Sequence, residues 1–219
     1  VKAYCSERGL FICDQAVQIY GGYGYTKAYP VEQLMRDCKI ATIWEGTNGI
    51  QAMDLLGRKL KMNQGKAFLD FMKEIQKCID HAKTIQKLKA LVNPVENALT
   101  RLSDTANHLG AIILLPGFKT AFAYAHPLLE VVGDVSMAWM HLWRAAVALP
   151  KLETIAGSSS PEVILEKADK NKEVAFYDGL LKTAEYFIQS MLPVTMGKMD
   201  AIMAANSSLV DMHQKSFGG

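Results

Sequence analysis

A chain of 219 residues, half of them hydrophobic, is long enough to bury a sizeable core and to form one or two domains. Its 24 Lys and Arg against 22 Asp and Glu leave a formal net charge of +2, without the basic excess that a nucleic-acid-binding face requires. The cysteines Cys5, Cys13, Cys38 and Cys78 form no C-x-x-C pair and the five histidines no i, i+4 pair, which leaves a metal centre unsupported and suits reduced thiols in a cytoplasmic compartment.

Residues 1–20 carry apolar side chains on two helical faces, Tyr4, Cys5, Ile12, Ala16 and Ile19 on one and Leu10, Cys13, Val17 and Tyr20 on the other, the pattern of a helix sandwiched inside a bundle. Gly21-Gly22 ends it, because glycine tolerates the left-handed backbone of a helix C-terminus. Gly22-x-Gly24 is no dinucleotide fingerprint: no strand precedes it, and Lys27 stands where a third glycine belongs. Read from the residues alone, the turn is a helix-to-helix connection. Pro30 is placed as the first residue of the next helix, with Glu32 and Arg36 paired at i, i+4 on its surface. The apolar run 40–44 then leads to Glu45 and the turn Gly46-Thr47-Asn48, after which Asn48 and Gln51 read as a capping box for a helix to about Leu60. On these residues Glu45 has two readings. It is an acidic side chain favoured by the helix dipole, worth about 0.3–1 kcal/mol, or a carboxylate partly desolvated by Ile43 and Trp44 at the mouth of a cleft, its pKa raised toward that of a general base.

The chain turns polar over 59–65, which sets a boundary between residues 1–60 and 61–219. Beyond it Phe68, Phe71, Met72, Ile75, Cys78, Ile79, Ala82 and Ile85 form one helical stripe, with Lys73, Lys77, Lys83 and Lys87 opposite. A solvated lysine face is the ordinary reading; contact with a membrane surface is the alternative, weakened by Glu74 and Asp80. Asn93-Pro94 is expected to end that helix, and Val95, Ala98, Leu99, Leu102, Ala106 and Leu109 to start another. Pro116-Gly117 and His126-Pro127 are expected to break or kink the apolar region after it. Residues 128–149 are apolar on most faces and form the expected buried centre, with Trp139 and Trp143 as a core pair rather than a ligand platform. Ser160 caps and Pro161 opens a short helix, and two more helices, through Tyr177 and through Met199, are separated by Pro193. With no convincing strand, repeat or low-complexity tract, the fold class is all-α.

The apolar runs 111–115 and 145–149 fall well short of the about 18 residues of a membrane span and are cut by Pro116, Arg144 and Pro150. The chain opens within a helical pattern at Val1, with no initiator methionine or signal sequence, and is expected to be a fragment of a longer polypeptide.

Three motifs in order carry a resemblance. They are Gln18 with the turn Gly21, Gly22, Gly24 and Tyr25; the block Pro30-Val31-Glu32-Gln33-Leu34-Met35-Arg36-Asp37; and the triplet Glu45-Gly46-Thr47 with Gln51 behind it. Together they resemble the C-terminal part of the acyl-CoA dehydrogenase family, flavoenzymes that introduce an α,β double bond into acyl-CoA thioesters. The match covers residues 1–60, as the end of the family's four-helix domain; residues 61–219 look like the extra helical domain of larger bacterial members.

The resemblance implies FAD as cofactor, with Gln18, Gly21, Gly22 and Thr47 near it and the Gln18 turn meeting the flavin of the neighbouring subunit. It implies Glu45 as the base that removes the α-proton, its own N–H helping to hold the thioester oxygen, and Trp44, Glu45 and Gly46 lining the substrate site. It further implies acyl-CoA as substrate, an electron-transfer flavoprotein as acceptor, a homo-oligomer, foremost a dimer, and a fragment inactive by itself. One position departs: after Asn48 the best-known members carry a glutamine that touches FAD, and this chain has Gly49. Two other readings stay open, an acyl-CoA oxidase that passes electrons to oxygen, and a non-catalytic helical module for dimerisation or membrane contact.

Overall fold

The computed structural model describes residues 1–114 and 117–218, and every regular element among them is a helix. In chain order these are α1 (Lys2–Tyr20), α2 (Val31–Ile40), α3 (Asn48–Gly57), α4 (Lys66–Lys83), α5 (Lys89–Ile113), α6 (Phe118–Ala123), α7 (Ala125–Ala156), α8 (Pro161–Ala168), α9 (Lys172–Tyr186), α10 (Leu192–Ala204) and α11 (Ser208–Asp211). Leu115 and Pro116, where the sequence places a break, lie outside the described residues.

The core is built around α7, which buries residues on several sides: Leu128, Val131, Val135, Ala138, Leu142, Ala145 and Ala146 all belong to one apolar cluster. Helices α3, α4, α5, α9 and α10 pack against it. The cluster includes Ala52 and Leu56 from α3 as well as Ile75, Leu102, Ile188 and Ile202, so apolar packing is continuous from α3 to α10. Between α3 and α4 the backbone reverses through three successive positive-φ residues, Asn63, Gln64 and Gly65.

Not every proline punctuates the chain as its position suggests. Pro94 lies inside α5, not at the end of α4, which stops at Lys83. Leu91, Val92 and Val95 are buried on both sides of it. Burying three such side chains at about 1.5–3 kcal/mol each outweighs the ~3 kcal/mol that an interior proline costs. Pro127 falls in the first turn of α7, where no intrahelical N–H bond is lost. Pro150 is carried within α7 because Leu149, Leu152 and Ala156 continue the buried face beyond it. Pro193 sits in the first turn of α10 and separates nothing: a π-helical turn, Phe187–Met191, joins α9 directly to α10. Pro30 is the residue before α2, whereas Pro161 does open α8.

One further expectation changes. Trp139 packs edge-on against Phe71 and stacks on Trp143 with ring centroids 6.3 Å apart, yet Trp143 is 53% exposed, so the pair spans core and surface. The lysines opposite the α4 stripe are a solvated face, as the ordinary reading has it, each beside an acidic neighbour: Lys73 by Asp70, Lys77 by Glu74, Lys83 by Glu96 and Lys87 by Glu153. Among the described residues no helix is long and apolar enough to cross a membrane.

Helix α1 is packed by α2, α3 and α7, but its apolar residues are not all covered. Ala3 alone is buried, and Phe11, Ile12 and Ile19 are exposed, where the sequence pattern anticipated a helix enclosed on both faces.

Candidate active site

The turn after α2 is tight because the Ile40 carbonyl accepts from both Ile43 and Trp44 N–H groups, and Thr42 O accepts from Asn48 N–H at 3.2 Å. The chain can close this way only by placing Glu45 at φ 55° and Gly46 at φ 83°. For glycine that region is open; for glutamate it costs about 1–2 kcal/mol. A Cβ on Gly46 would also stand 2.9 Å from Gln51 Nε2.

Neighbouring helices hold the turn. Gln51 Nε2 donates to the Glu45 carbonyl at 2.8 Å. Lys2 Nζ, from the start of α1, donates to the Gly46 carbonyl at 2.7 Å and to Asn48 Oδ1 at 2.8 Å. Asn48 is buried, and its amide nitrogen lies within hydrogen-bond reach of Ala3 O, Ser6 Oγ and Glu7 Oε1. The cap of α3 is therefore Thr47, whose hydroxyl accepts from Ile50 N–H at 3.3 Å. The capping box expected from Asn48 and Gln51 does not form, because Asn48 is committed to α1 and Gln51 to the Glu45 carbonyl. Lys2, Ser6 and Glu7 were not candidates from the sequence; their polar stripe at helical spacing on α1 was the available signal.

Glu45 itself is exposed, as are Ile43 and Trp44, at 50% and 57%. Desolvation by those two neighbours, expected from the sequence, is not supplied within this chain, because the turn directs both outward. Nor does Glu45 line either of two grooves beside α1. One of about 540 Å³ is bounded by Lys2, Gln51, Leu55 and Leu129, and one of about 580 Å³ by Phe11, Ile12, Phe187 and Val194. Among the described residues, the backbone N–H groups of Glu45 and Gly46 meet no acceptor.

Trp44, Glu45, Gly46 and Thr47 thus come together in one turn, and the remaining candidates lie elsewhere. Gln18, Gly21 and Gly22 are exposed at the far end of α1, roughly 24 Å along the helix from Lys2 at 1.5 Å per residue. Gly21 takes φ 60°, and a Cβ on Gly21 or Gly22 would meet nothing within 4 Å, so both leave open space. Gly24 is the sterically required member: a Cβ there would lie 2.6 Å from Val17 O. No cluster of His, Cys, Asp and Glu fit for a metal occurs among the described residues.

A polar seam joins α1 to α7 and α10. The buried Asp134 carboxylate accepts from Tyr4 OH at 2.8 Å, Thr195 Oγ1 at 2.9 Å, Arg8 Nη2 at 3.2 Å and Lys198 Nζ at 3.3 Å. Burial, and then the Asp134 carboxylate beside it, push the Tyr4 hydroxyl pKa well above its usual value. Nearer the start of α7, His126 Nε2 lies 2.8 Å from Glu7 Oε1.

Comparison with known proteins gives this geometry a family. Residues 71–213 match the family described as "Acetyl-CoA dehydrogenase C-terminal like", and residues 1–60 match "Acyl-CoA dehydrogenase, C-terminal domain". A butyryl-CoA dehydrogenase of Syntrophomonas wolfei is 29% identical over 98% of this chain and 33% of its own length. A broad-specificity linear acyl-CoA dehydrogenase of Mycobacterium tuberculosis is 28% identical over 99% of this chain and 34% of its own length. A caffeyl-CoA reductase-Etf complex subunit of Acetobacterium woodii is 53% identical over 60 residues, 27% of this chain and 16% of that protein. The crystal structure of an acyl-CoA dehydrogenase from Bacillus anthracis complexed with FAD shares the fold, with TM-score 0.50 and 19% identity over 92% of this chain and 35% of that one. The chain spans about a third of the length of the full-coverage relatives. With the larger part of its length matched by a C-terminal domain of these enzymes, and its first 60 residues by another, the chain belongs to the acyl-CoA dehydrogenase family.

Proposed function

We propose that this chain supplies the base-bearing wall of an FAD-dependent acyl-CoA dehydrogenase, with residues 1–60 as the end of the four-helix domain and 61–219 as an appended helical domain that braces it. The observation that carries this reading is Glu45. A non-glycine residue kept at φ 55° and clamped through Gln51 and Lys2 is a backbone held under strain by its surroundings, the pattern that clusters at functional sites.

In this reading the Glu45 carboxylate takes the α-proton of an acyl-CoA thioester. The α-hydrogen is a weak acid, so the developing enolate oxygen needs a donor at that moment, and the unpartnered Glu45 N–H is oriented by the same turn. One such donor is typically worth about 2.7–4 kcal/mol. Bound FAD would supply the acceptor for the β-hydride. The residues fit that cofactor: Gln18 offers an exposed amide, Gly21 and Gly22 leave room for close backbone approach, and the exposed Thr47 hydroxyl keeps its proton free for a second acceptor. Trp44 and Gly46 would line the acyl site. Solvent exclusion around Glu45 would come from surfaces outside this chain.

Because Gln18 stands roughly 24 Å along α1 from Lys2, the residue that holds the Glu45 turn, we take the two sets to serve two flavins, which favours a homodimer. Exposed Phe11, Ile12 and Ile19 give α1 an apolar surface for that association. An electron-transfer flavoprotein is the proposed acceptor, in keeping with the Etf complex named for the Acetobacterium relative. The chain by itself is expected neither to retain FAD nor to turn over.

The test is Glu45→Gln in the full-length protein. It should keep folding, FAD binding and acyl-CoA binding while slowing flavin bleaching by at least about 10²–10⁴-fold. Bleaching near the wild-type rate would reduce Glu45 to a helix-start carboxylate.

A further inference from the structure

We propose that Cys13 and Cys38 are a modification site, a thiol pair that a hydroperoxide converts into a reversible intrachain disulfide stapling α1 to α2. Their Sγ atoms lie 3.2 Å apart, across two helices that pack along each other, although the residues are far apart in sequence. A disulfide bond is about 2.05 Å long, so the sulfurs need to close by only roughly 1 Å, which side-chain rotation and a small helix shift supply. Both are half-buried, accessible to a small oxidant. The other two cysteines contrast with them: Cys5 is exposed without a neighbouring thiol, and Cys78 is half-buried against Trp139, with burial pushing its thiol pKa up.

The chemistry balances with the peroxide as the only co-reactant. Either sulfur of this S–H···S contact can attack once deprotonated; taking Cys38, its proton is first released to solvent. The Cys38 sulfur forms an S–O bond as the O–O bond breaks, and the departing oxygen leaves with a proton as water or alcohol. The Cys13 sulfur then attacks the sulfenic sulfur: the S–S bond forms, the S–O bond breaks, and hydroxide leaves as water with the Cys13 proton. Two thiols lose two electrons and two protons, and the peroxide takes up both electrons. The staple sits five residues before Gln18 and two before the end of α2, so it joins the two segments that carry the candidate site residues. It rests on packing alone and stands whether or not Glu45 is the base.

The experiment uses the full-length protein, dilute, treated with hydrogen peroxide, alkylated and digested for mass spectrometry. A peptide pair joining Cys13 to Cys38, lighter by two hydrogens than the two reduced peptides and split by dithiothreitol, is the expected product. It should be absent in Cys13→Ser and in Cys38→Ser, and form at least about tenfold faster in native than in urea-unfolded protein, because folding raises the effective thiol concentration. Equal rates in native and unfolded protein would overturn the proposal. So would recovery of Cys13 and Cys38 as separately alkylated or separately sulfinylated residues while Cys5 is oxidised.

Discussion

The side-chain amide of Gln51 donates to the backbone carbonyl of Glu45 at 2.8 Å, so a residue in the first turn of α3 holds the left-handed residue that precedes the helix. The bond fixes the peptide plane from which the Glu45 side chain departs. Lys2 does the same for the next carbonyl, from a helix more than forty residues upstream.

Gln51→Leu keeps approximate volume and removes that donor. A hydrogen bond of this kind contributes about 0.5–1.5 kcal/mol, and 1.36 kcal/mol is tenfold in rate. If Glu45 is the base, flavin reduction in the full-length protein should slow by roughly two- to tenfold with acyl-CoA affinity nearly unchanged, as read by stopped-flow absorbance and equilibrium titration. An unchanged rate would leave Lys2 as the residue that holds the turn.

Glu45→Gly separates chemistry from stability. Glycine relieves a backbone cost of about 1–2 kcal/mol at φ 55°, and gives back about 0.4–1 kcal/mol through the looser unfolded chain. The variant should unfold at the same temperature as wild type or a few degrees higher, and show no substrate-dependent flavin reduction. A clear fall in melting temperature would show that the glutamate side chain supports the fold.

Gly133 and Asp134 test how α1 docks on α7. A Cβ at Gly133 would run into the Tyr4 ring, so Gly133→Ala should destabilise by about 1–3 kcal/mol. In a Tyr4→Ala background Gly133→Ala should cost less, because the clash disappears with the ring. Asp134→Ala strands Arg8, Lys198, Tyr4 and Thr195. Arg8 and Lys198 still reach water, so the cost should be about 2–3 kcal/mol rather than the 3–5 of a fully buried pair. Denaturant titration measures both.

His141 sets a pH dependence. It is buried, its Nδ1 has no partner among the described residues, and burial, then Arg144, hold its pKa below the usual imidazole value. The unfolded chain takes up a proton near pH 6.5 while the folded state stays neutral. Stability from this residue is therefore complete above about pH 6.5 and falls as the pH drops below it, by up to about 1.4 kcal/mol per unit, until the folded group also protonates. Melting temperatures at neutral and mildly acidic pH should show that loss, and His141→Leu should remove His141's share of it. An identical pH slope in the variant would assign the dependence to other groups.

The helical period, the glycine turn after α1, the Pro161 helix start and the Glu32–Arg36 pair were all legible in the residues, because each is settled within a few positions along the chain. So was the family, through the three motifs between Gln18 and Gln51. What only the tertiary structure decided are contacts between distant positions: Lys2 on the Gly46 carbonyl, Asn48 turned toward α1 instead of capping α3, Cys13 against Cys38, and Asp134 shared by α1, α7 and α10. Prolines belong to the same class. Pro94 reads as a helix end, yet whether a helix runs through a proline depends on how much apolar surface is buried on either side of it, and that surface is supplied by other helices. Burial divides Trp139 from Trp143 for the same reason: their spacing puts them on one face of α7, and Trp139 is half-buried against the core and Phe71 while Trp143 is exposed.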